Sequence, residues 1–257
     1  MNANIDAGAP DQTDFTEDHM LGGQITLCQP KEGYRAAIDP VFLAAAVSGA
    51  PGDHVLDAGA GVGAAALCLA NRLKKVRVTG IEINPESVAL AQRNIQLNGF
   101  VGRLDIIEGD ILSPPTSFSP GSFDQVMANP PYHAVGRTDP SPDAGKAMAH
   151  AEKPGVDLNV WVSFALDMVR TQGVVTFIYP ADRESELIDA LVGQSGNLVV
   201  FPLLPKVGAR PKRIIVQATK GAPVSTRHAG GLALHDENGA FTPEAEAILR
   251  QGKGLEL

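Results

Sequence analysis

Cysteine is scarce in this sequence, long apolar runs and a surplus of positive charge are missing, and each of these removes a class of function. Cys28 and Cys68 are the two cysteines of a 257-residue chain, which is too large to need disulfide staples. Neither has a second thiol or a histidine at metal-ligand spacing, so no zinc or other metal site is expected. No apolar run reaches the ~20 residues needed to cross a bilayer. The stretch from Met1 to Met20 is polar and acidic, with none of the basic and apolar pattern of a secretory leader. These features predict a cytoplasmic protein with reduced thiols. Lys and Arg total 21 against 29 Asp and Glu, a formal net charge of −8. Such a chain cannot hold nucleic acid by overall charge, only through a local basic patch.

What is present is the material for a large core: hydrophobic residues form 44% of the chain. Residues 1–22 show no periodicity and are expected to be a loose tail. Gln24–Cys28 reads as a short strand. Asp39 and Pro40 read as an N-cap followed by first-turn proline, opening a helix to about Val47. From residue 53 the pattern becomes regular. Strands are expected at His54–Leu56, Val76–Ile83, Leu104–Ile107, Phe123–Ala128, Gly173–Tyr179, Leu198–Leu204 and Arg213–Ala218. Helices are expected at Ala64–Leu73, from Pro85 to Asn98-Gly99, at Leu158–Val169 and at Ser185–Val192. Alternation of this kind predicts an α/β fold, a parallel sheet covered by helices on both faces.

Asp57-Ala-Gly59-Ala-Gly61-Val-Gly63 follows the first of these strands and opens a helix. Glycine there allows a tight turn and lets a ligand lie against bare backbone. A dinucleotide fingerprint would instead be G-x-G-x-x-G, facing a pyrophosphate. The carboxylate immediately before this turn would repel a phosphate but suits a cationic amine or a sulfonium. Glu82 ends the second strand, where an acid can accept from two ribose hydroxyls. Asp110 follows the third strand, where it can accept from an adenine amino group. Singly, Asp57 and Asp110 are ordinary helix caps and Glu82 a solvated strand end. Together they occupy three successive strand ends at the carboxyl edge of a parallel sheet, where ligands bind.

In these residues the sequence resembles the class I methyltransferase family, across roughly residues 35–220. Val55 to Gly63 matches its first motif, Gly80-Ile-Glu82-Ile83 its second and Gly109-Asp110-Ile111 its third. The resemblance implies a Rossmann-like, seven-stranded and mostly parallel sheet with an antiparallel last strand. It implies S-adenosyl-L-methionine as cofactor, with Asp57, Gly59 and Gly61 near its methionine part. Glu82 and Ile83 would lie at the ribose, and Asp110 with Ile111 at the adenine. On this basis residues 51–220 form the catalytic domain, 23–50 an N-terminal strand and helix extension, and 221–257 a C-terminal extension on the same domain.

Asn129-Pro130-Pro131-Tyr132 ends the fourth strand. Two consecutive prolines remove two N–H donors and hold the backbone extended. The Asn129 amide oxygen and the Pro130 carbonyl then remain as acceptors able to receive both hydrogens of one amino group. Tyr132 offers a flat face for a planar acceptor, and Pro131 stiffens the approach to it. An exocyclic or amide nitrogen has a delocalised lone pair; two fixed acceptors favour the pyramidal form that can attack a methyl group. Positioning of this kind supplies roughly 7–11 kcal/mol. The cofactor-side residue Asn129 thus also carries catalysis, with Pro130 and Tyr132. Asn-Pro on its own commonly starts a turn; its position beside the glycine turn is what gives it a catalytic reading. The motif resembles that of amino methyltransferases acting on adenine N6, guanine N2 or glutamine N5. His133 and His150 are read as a pocket-wall residue and an ordinary surface histidine.

Lys206, Arg210, Lys212 and Arg213 form the one dense basic cluster, between the last two strands. It is either a phosphate-contacting hairpin or a solvated one. The segment 136–155, with Arg137, Lys146 and Lys153, is either a substrate-contact loop or an insertion. Gly33 to Asp39, the Asn-Pro-Pro-Tyr motif, Arg210 to Ile215 and Leu234 to Pro243 together resemble the bacterial tRNA (adenine-N6) methyltransferase family that modifies position 37 of a valine tRNA. That resemblance implies tRNA as partner, held in part by Lys206, Arg210 and Lys212, and an adenine unstacked against Tyr132. A glutamine-N5 protein methyltransferase, a small-molecule methyltransferase and a non-catalytic RNA-binding protein retaining S-adenosylmethionine are the competing expectations.

Overall fold

The computed structural model describes residues 15–33, 35–132 and 157–257. The chain begins with an antiparallel pair, β1 (Phe15–Met20) and β2 (Ile25–Pro30), and then α1 (Asp39–Ala46). β3 (His54–Ala58), α2 (Ala64–Arg72), β4 (Arg77–Glu82), α3 (Pro85–Leu97), β5 (Leu104–Glu108) and β6 (Phe123–Ala128) follow. Beyond residue 157 come α4 (Leu158–Met168), β7 (Val169–Pro180), α5 (Glu184–Leu191), β8 (Ser195–Lys206) and β9 (Arg213–Lys220). Two short strands, β10 (Thr226–His228) and β11 (Leu232–His235), and a last helix, α6 (Pro243–Gln251), complete the chain.

The sheet runs in the order β5-β4-β3-β6-β7-β9-β8. All neighbours are parallel except β9, which is antiparallel to both β7 and β8. This is the expected seven-stranded arrangement. The antiparallel last strand has a simple cause: β8 and β9 are joined by a hairpin with no crossover helix, and a short link permits only antiparallel pairing. β10 and β11 extend it, both pairing parallel with β8, so the sheet has nine strands among the described residues.

Successive strand residues point to opposite faces, and both faces are buried. Val55, Ile178 and Ile215 join Phe42, Leu67, Leu69 and Ile95 in one core layer. Leu56, Phe177 and Val216 join Trp161, Phe164 and Leu187 in the other. The strands therefore read as continuous apolar runs, as parallel strands covered on both sides do. Ala245 and Ile248 of α6 pack into the first layer, holding the C-terminal extension against the domain.

The loose segment expected over residues 1–22 does not hold for Phe15–Met20, which is strand β1. Its side chains are mostly polar, so no apolar alternation marks it. Pairing with β2 from Phe15↔Pro30 to Met20↔Ile25 orders it, and Asp18 accepts from Gln29 at 3.0 Å and from Arg35 at 2.7 Å. The other edge of β2 is covered by side chains of α3. Asn94 Oδ1 accepts from the Cys28 N–H at 2.7 Å and its Nδ2 donates to the Cys28 carbonyl at 2.9 Å. Asn98 repeats this pair with Thr26, at 2.9 and 2.7 Å. Four helical residues rise about 6 Å and two strand residues about 6.7 Å, so the two periods match and the asparagines act as a substitute strand.

A second correction concerns Asp39. Ile38 occupies the cap position of α1 and no side chain caps the helix; Asp39 is its first residue. Its carboxylate turns instead toward Tyr132 and Arg213.

Candidate active site

The site is assembled at the carboxyl ends of β3, β4, β5 and β6. Gly59, Gly61 and Gly63 have φ of +70°, +55° and +86°, values costly for any residue with a Cβ. The turn is tied to β4: the Gly59 and Ala60 N–H groups donate to the Ile81 carbonyl at 2.9 and 3.0 Å. The Gly61 N–H donates to Glu82 Oε2 at 2.8 Å. Behind the turn stands Trp161, whose ring would lie 2.5 Å from a Cβ at position 59. Trp161 is 9% exposed and its Nε1 has no partner.

Asp57 lies beneath this turn rather than in its mouth. It is 2% exposed and its Oδ2 has no hydrogen-bond partner. Burial pushes its carboxyl up to about 8, against a bond from the Ala66 N–H and with the Glu82 charge adding to the rise. Burial therefore favours the protonated form, and an approaching cation would favour the charged one. An orphaned buried carboxyl oxygen is the arrangement that such a cation would complete.

Glu82 already uses both oxygens, Oε2 for Gly61 and Oε1 for the Asn84 N–H at 2.8 Å. Each carboxylate oxygen has a further lone pair, so ribose hydroxyls remain chemically acceptable to it. Ile83 beside it is 43% exposed, unusual for isoleucine and suited to covering a ring. Asp110 Oδ1 accepts from the Leu112 N–H at 2.9 Å, and Ile111 packs partly into the core layer below. The Gly109 N–H donates to the Glu82 carbonyl at 2.9 Å, holding the second and third strand ends together.

Asn129 meets this turn through sheet register. β3 and β6 are parallel neighbours, with Ala58 opposite Ala128. Gly59 and Asn129 are consequently the first residues beyond two matched strand ends, side by side at the switch in strand order. Pro130 is buried, while Asn129, Pro131 and Tyr132 are half-buried.

Around Tyr132 the structure gathers residues from four parts of the chain. Its hydroxyl is hydrogen-bonded to Asn129 Oδ1 and lies 3.1 Å from Asp39 Oδ2. The Arg213 guanidinium sits 4.6 Å from the ring centroid and donates through Nε to Asp39 Oδ2 at 2.9 Å. Arg183 donates to the Tyr132 carbonyl at 2.9 Å and stacks over Tyr179, which meets the Tyr132 ring edge-on at 5.9 Å. Burial lowers the pKa of Arg213, but the Asp39 carboxylate and Tyr132 outweigh it and the net shift is upward.

Arg183 and Trp161 have no signal in the sequence that marks them for this site, and Asp39 stands out there only as a helix cap and as the end of the Gly33–Asp39 stretch. Arg213 is the exception in part: it belongs to the basic cluster, but it faces inward onto Asp39. The remaining cluster, Lys206, Arg210 and Lys212, lines an open cleft of about 660 Å³ together with Asp236 and Glu237. Lys212, one of its lining residues, directly precedes Arg213 in the chain. His133, His150 and the segment 136–155 lie outside the described residues. Among the described residues no group of three or more His, Cys, Asp and Glu is arranged to hold a metal. None of their helices is long and apolar enough to cross a membrane. Cys28 and Cys68 are both buried, and burial raises the Cys68 thiol to about 12.

A parallel sheet with an antiparallel last strand and a glycine turn over a buried acid defines the class I S-adenosylmethionine-dependent methyltransferases. Residues 38–153 match the family described as methyltransferase small domain. A tRNA1(Val) (adenine(37)-N6)-methyltransferase of Porphyromonas gingivalis is 31% identical over 221 residues, covering 82% of this chain and 85% of the relative. One from Glaesserella parasuis is 26% identical over 80% of this chain and 84% of its own length. This chain belongs to the tRNA1(Val) (adenine(37)-N6)-methyltransferase family. Among solved structures, a predicted O-methyltransferase from Agrobacterium tumefaciens superposes with a TM-score of 0.71. It is 25% identical and matched over 85% of this chain and 98% of its own.

Proposed function

We propose that this chain methylates the exocyclic N6 of an adenine in tRNA, with S-adenosylmethionine as the methyl donor, in the cytoplasm. The observation that carries this reading is the register that sets Asn129 beside Gly59, acceptor site against cofactor turn. Bound S-adenosylmethionine supplies the electrophilic methyl group. Gly59 and Gly61 give its methionine part a backbone-walled seat, Glu82 holds the ribose, and Ile83, Asp110 and Ile111 bracket the adenine.

The substrate amine donates its two hydrogens to Asn129 Oδ1 and the Pro130 carbonyl, which turns its lone pair toward the cofactor. Tyr132 supports the flipped base, with Pro131 fixing the approach. No strong base is needed, because the nitrogen becomes acidic once alkylated and its proton passes to solvent. Lys206, Arg210 and Lys212 contact phosphates flanking the target, which explains how an acidic chain holds RNA. The names of the curated relatives support an adenine acceptor over glutamine in protein.

Asn129→Ala tests this directly. With labelled S-adenosylmethionine and unmodified total tRNA, the variant is expected to bind cofactor normally and to label no tRNA. Turnover at the wild-type rate would refute the assignment.

A further inference from the structure

We propose that Asp39 is a positioning residue for methyl transfer, holding the Tyr132 hydroxyl when the substrate amine takes over the Asn129 oxygen. This rests on the reading of Asn129 as the acceptor of the amine. The Tyr132 hydroxyl stands between two acceptors, Asn129 Oδ1 and, at 3.1 Å, Asp39 Oδ2. A phenol carries one proton and donates to one acceptor at a time. In the structure the hydroxyl occupies the amide oxygen on which the proposed chemistry depends. That oxygen has a second lone pair, but while it accepts from the phenol it is a weaker acceptor for an amine, so the phenol and the amine compete for it.

Displacing a half-buried hydroxyl is costly if it is left without an acceptor. Asp39 removes that cost without any movement of the ring, since rotation about the C–O bond alone redirects the proton to Oδ2. Asp39 is itself fixed for this role. The same Oδ2 accepts from Arg213 Nε at 2.9 Å, and the two side chains are 20% and 33% exposed. Arg213 meanwhile lies over the Tyr132 ring, and Arg183 holds the Tyr132 carbonyl. The backbone, one face and the hydroxyl of the tyrosine are thus each held by a different residue. Asp39 belongs to α1, and 93 residues separate it from Tyr132. The N-terminal extension therefore reaches into the chemistry of the site.

The test is a double-mutant cycle in the full chain, using unmodified tRNA and S-adenosylmethionine. Asp39→Ala is expected to lower kcat by about tenfold or more, the weight of a hydrogen bond to a charged group. Cofactor affinity should change by less than about twofold. Asp39→Asn keeps an oxygen that accepts the hydroxyl and should restore most of kcat. In a Tyr132→Phe background, Asp39→Ala should cost little more, because there is no hydroxyl left to hold. An equal loss in that background, or a loss confined to cofactor affinity, overturns the proposal. So does an Asp39→Asn enzyme as slow as Asp39→Ala.

A wild-type protein that labels no tRNA would refute the acceptor assignment instead. The pairing is then decided by the ¹³Cζ resonance of Tyr132, assigned by its loss in Tyr132→Phe. Asp39→Ala should shift it and Asp39→Asn should leave it near its original position; no shift in Asp39→Ala overturns the pairing.

Discussion

Replacing Gly59 by alanine separates two costs that glycine turns usually combine. An added Cβ would lie 2.5 Å from Trp161 Cη2 and 2.8 Å from Cζ3. The indole is buried in α4, so no flexible chain end is available to move aside. Overpacking costs about 1–3 kcal/mol and left-handed backbone about 1–2 kcal/mol more, a total of about 2–5 kcal/mol. For a chain of this size that lowers Tm by roughly 4–20 °C. Gly61 is the internal control: its φ is +55° and nothing lies within 4 Å of an added Cβ. Gly61→Ala should cost only the backbone strain, about 1–2 kcal/mol. Thermal unfolding of both variants without cofactor gives the comparison. A Gly59→Ala, Trp161→Ala double variant should be less destabilised than the sum of its parts, since the clash has one partner. Equal losses at positions 59 and 61, or strict additivity with Trp161→Ala, would refute the argument.

Asn94→Ala should destabilise the chain by about 2–4 kcal/mol in urea unfolding, because it strands the N–H and carbonyl of Cys28. A cost below 1 kcal/mol would mean that water replaces the asparagine. Asp57 gives a pH signature: its pKa in the fold, about 8, exceeds its ordinary value of 3.8. Between these values the native state binds more protons than the unfolded one, so stability falls as pH rises. Asp57→Asn should remove that part of the fall between about pH 4 and pH 8; an unchanged slope would assign it to other groups. Neutralising Lys206, Arg210 and Lys212 together should weaken tRNA binding and shrink its salt dependence by about one unit of slope per lost contact. An unaltered affinity would remove the hairpin from the site.

Much of the fold is determined by local pattern. Short apolar runs and helix-spaced stripes place the strands and helices of the sheet to within a few residues, because burial on both faces leaves apolar runs in strands and one-sided burial leaves a 3.6-residue stripe in helices. The glycine turn, Glu82, Asp110 and Asn129 are likewise visible, since glycines, acids and an Asn-Pro-Pro run at strand ends stand out by residue type alone. β1 leaves no such trace, being ordered by ladder bonds and by the Asp18 network rather than by apolar burial. Three matters were decided only in three dimensions. Asp39 has the local look of a helix cap, yet its carboxylate meets Tyr132 and Arg213 from distant segments. Asp57 looks like an exposed charge at a turn, yet it is buried and burial raises its pKa. Arg213 looks like one more cation in a hairpin, yet its place at the start of β9 turns it onto the tyrosine. In each case residue type is local but environment is not. A carboxylate or guanidinium takes its charge state and its partner from whatever the sheet order brings beside it, and that order is a property of the folded chain.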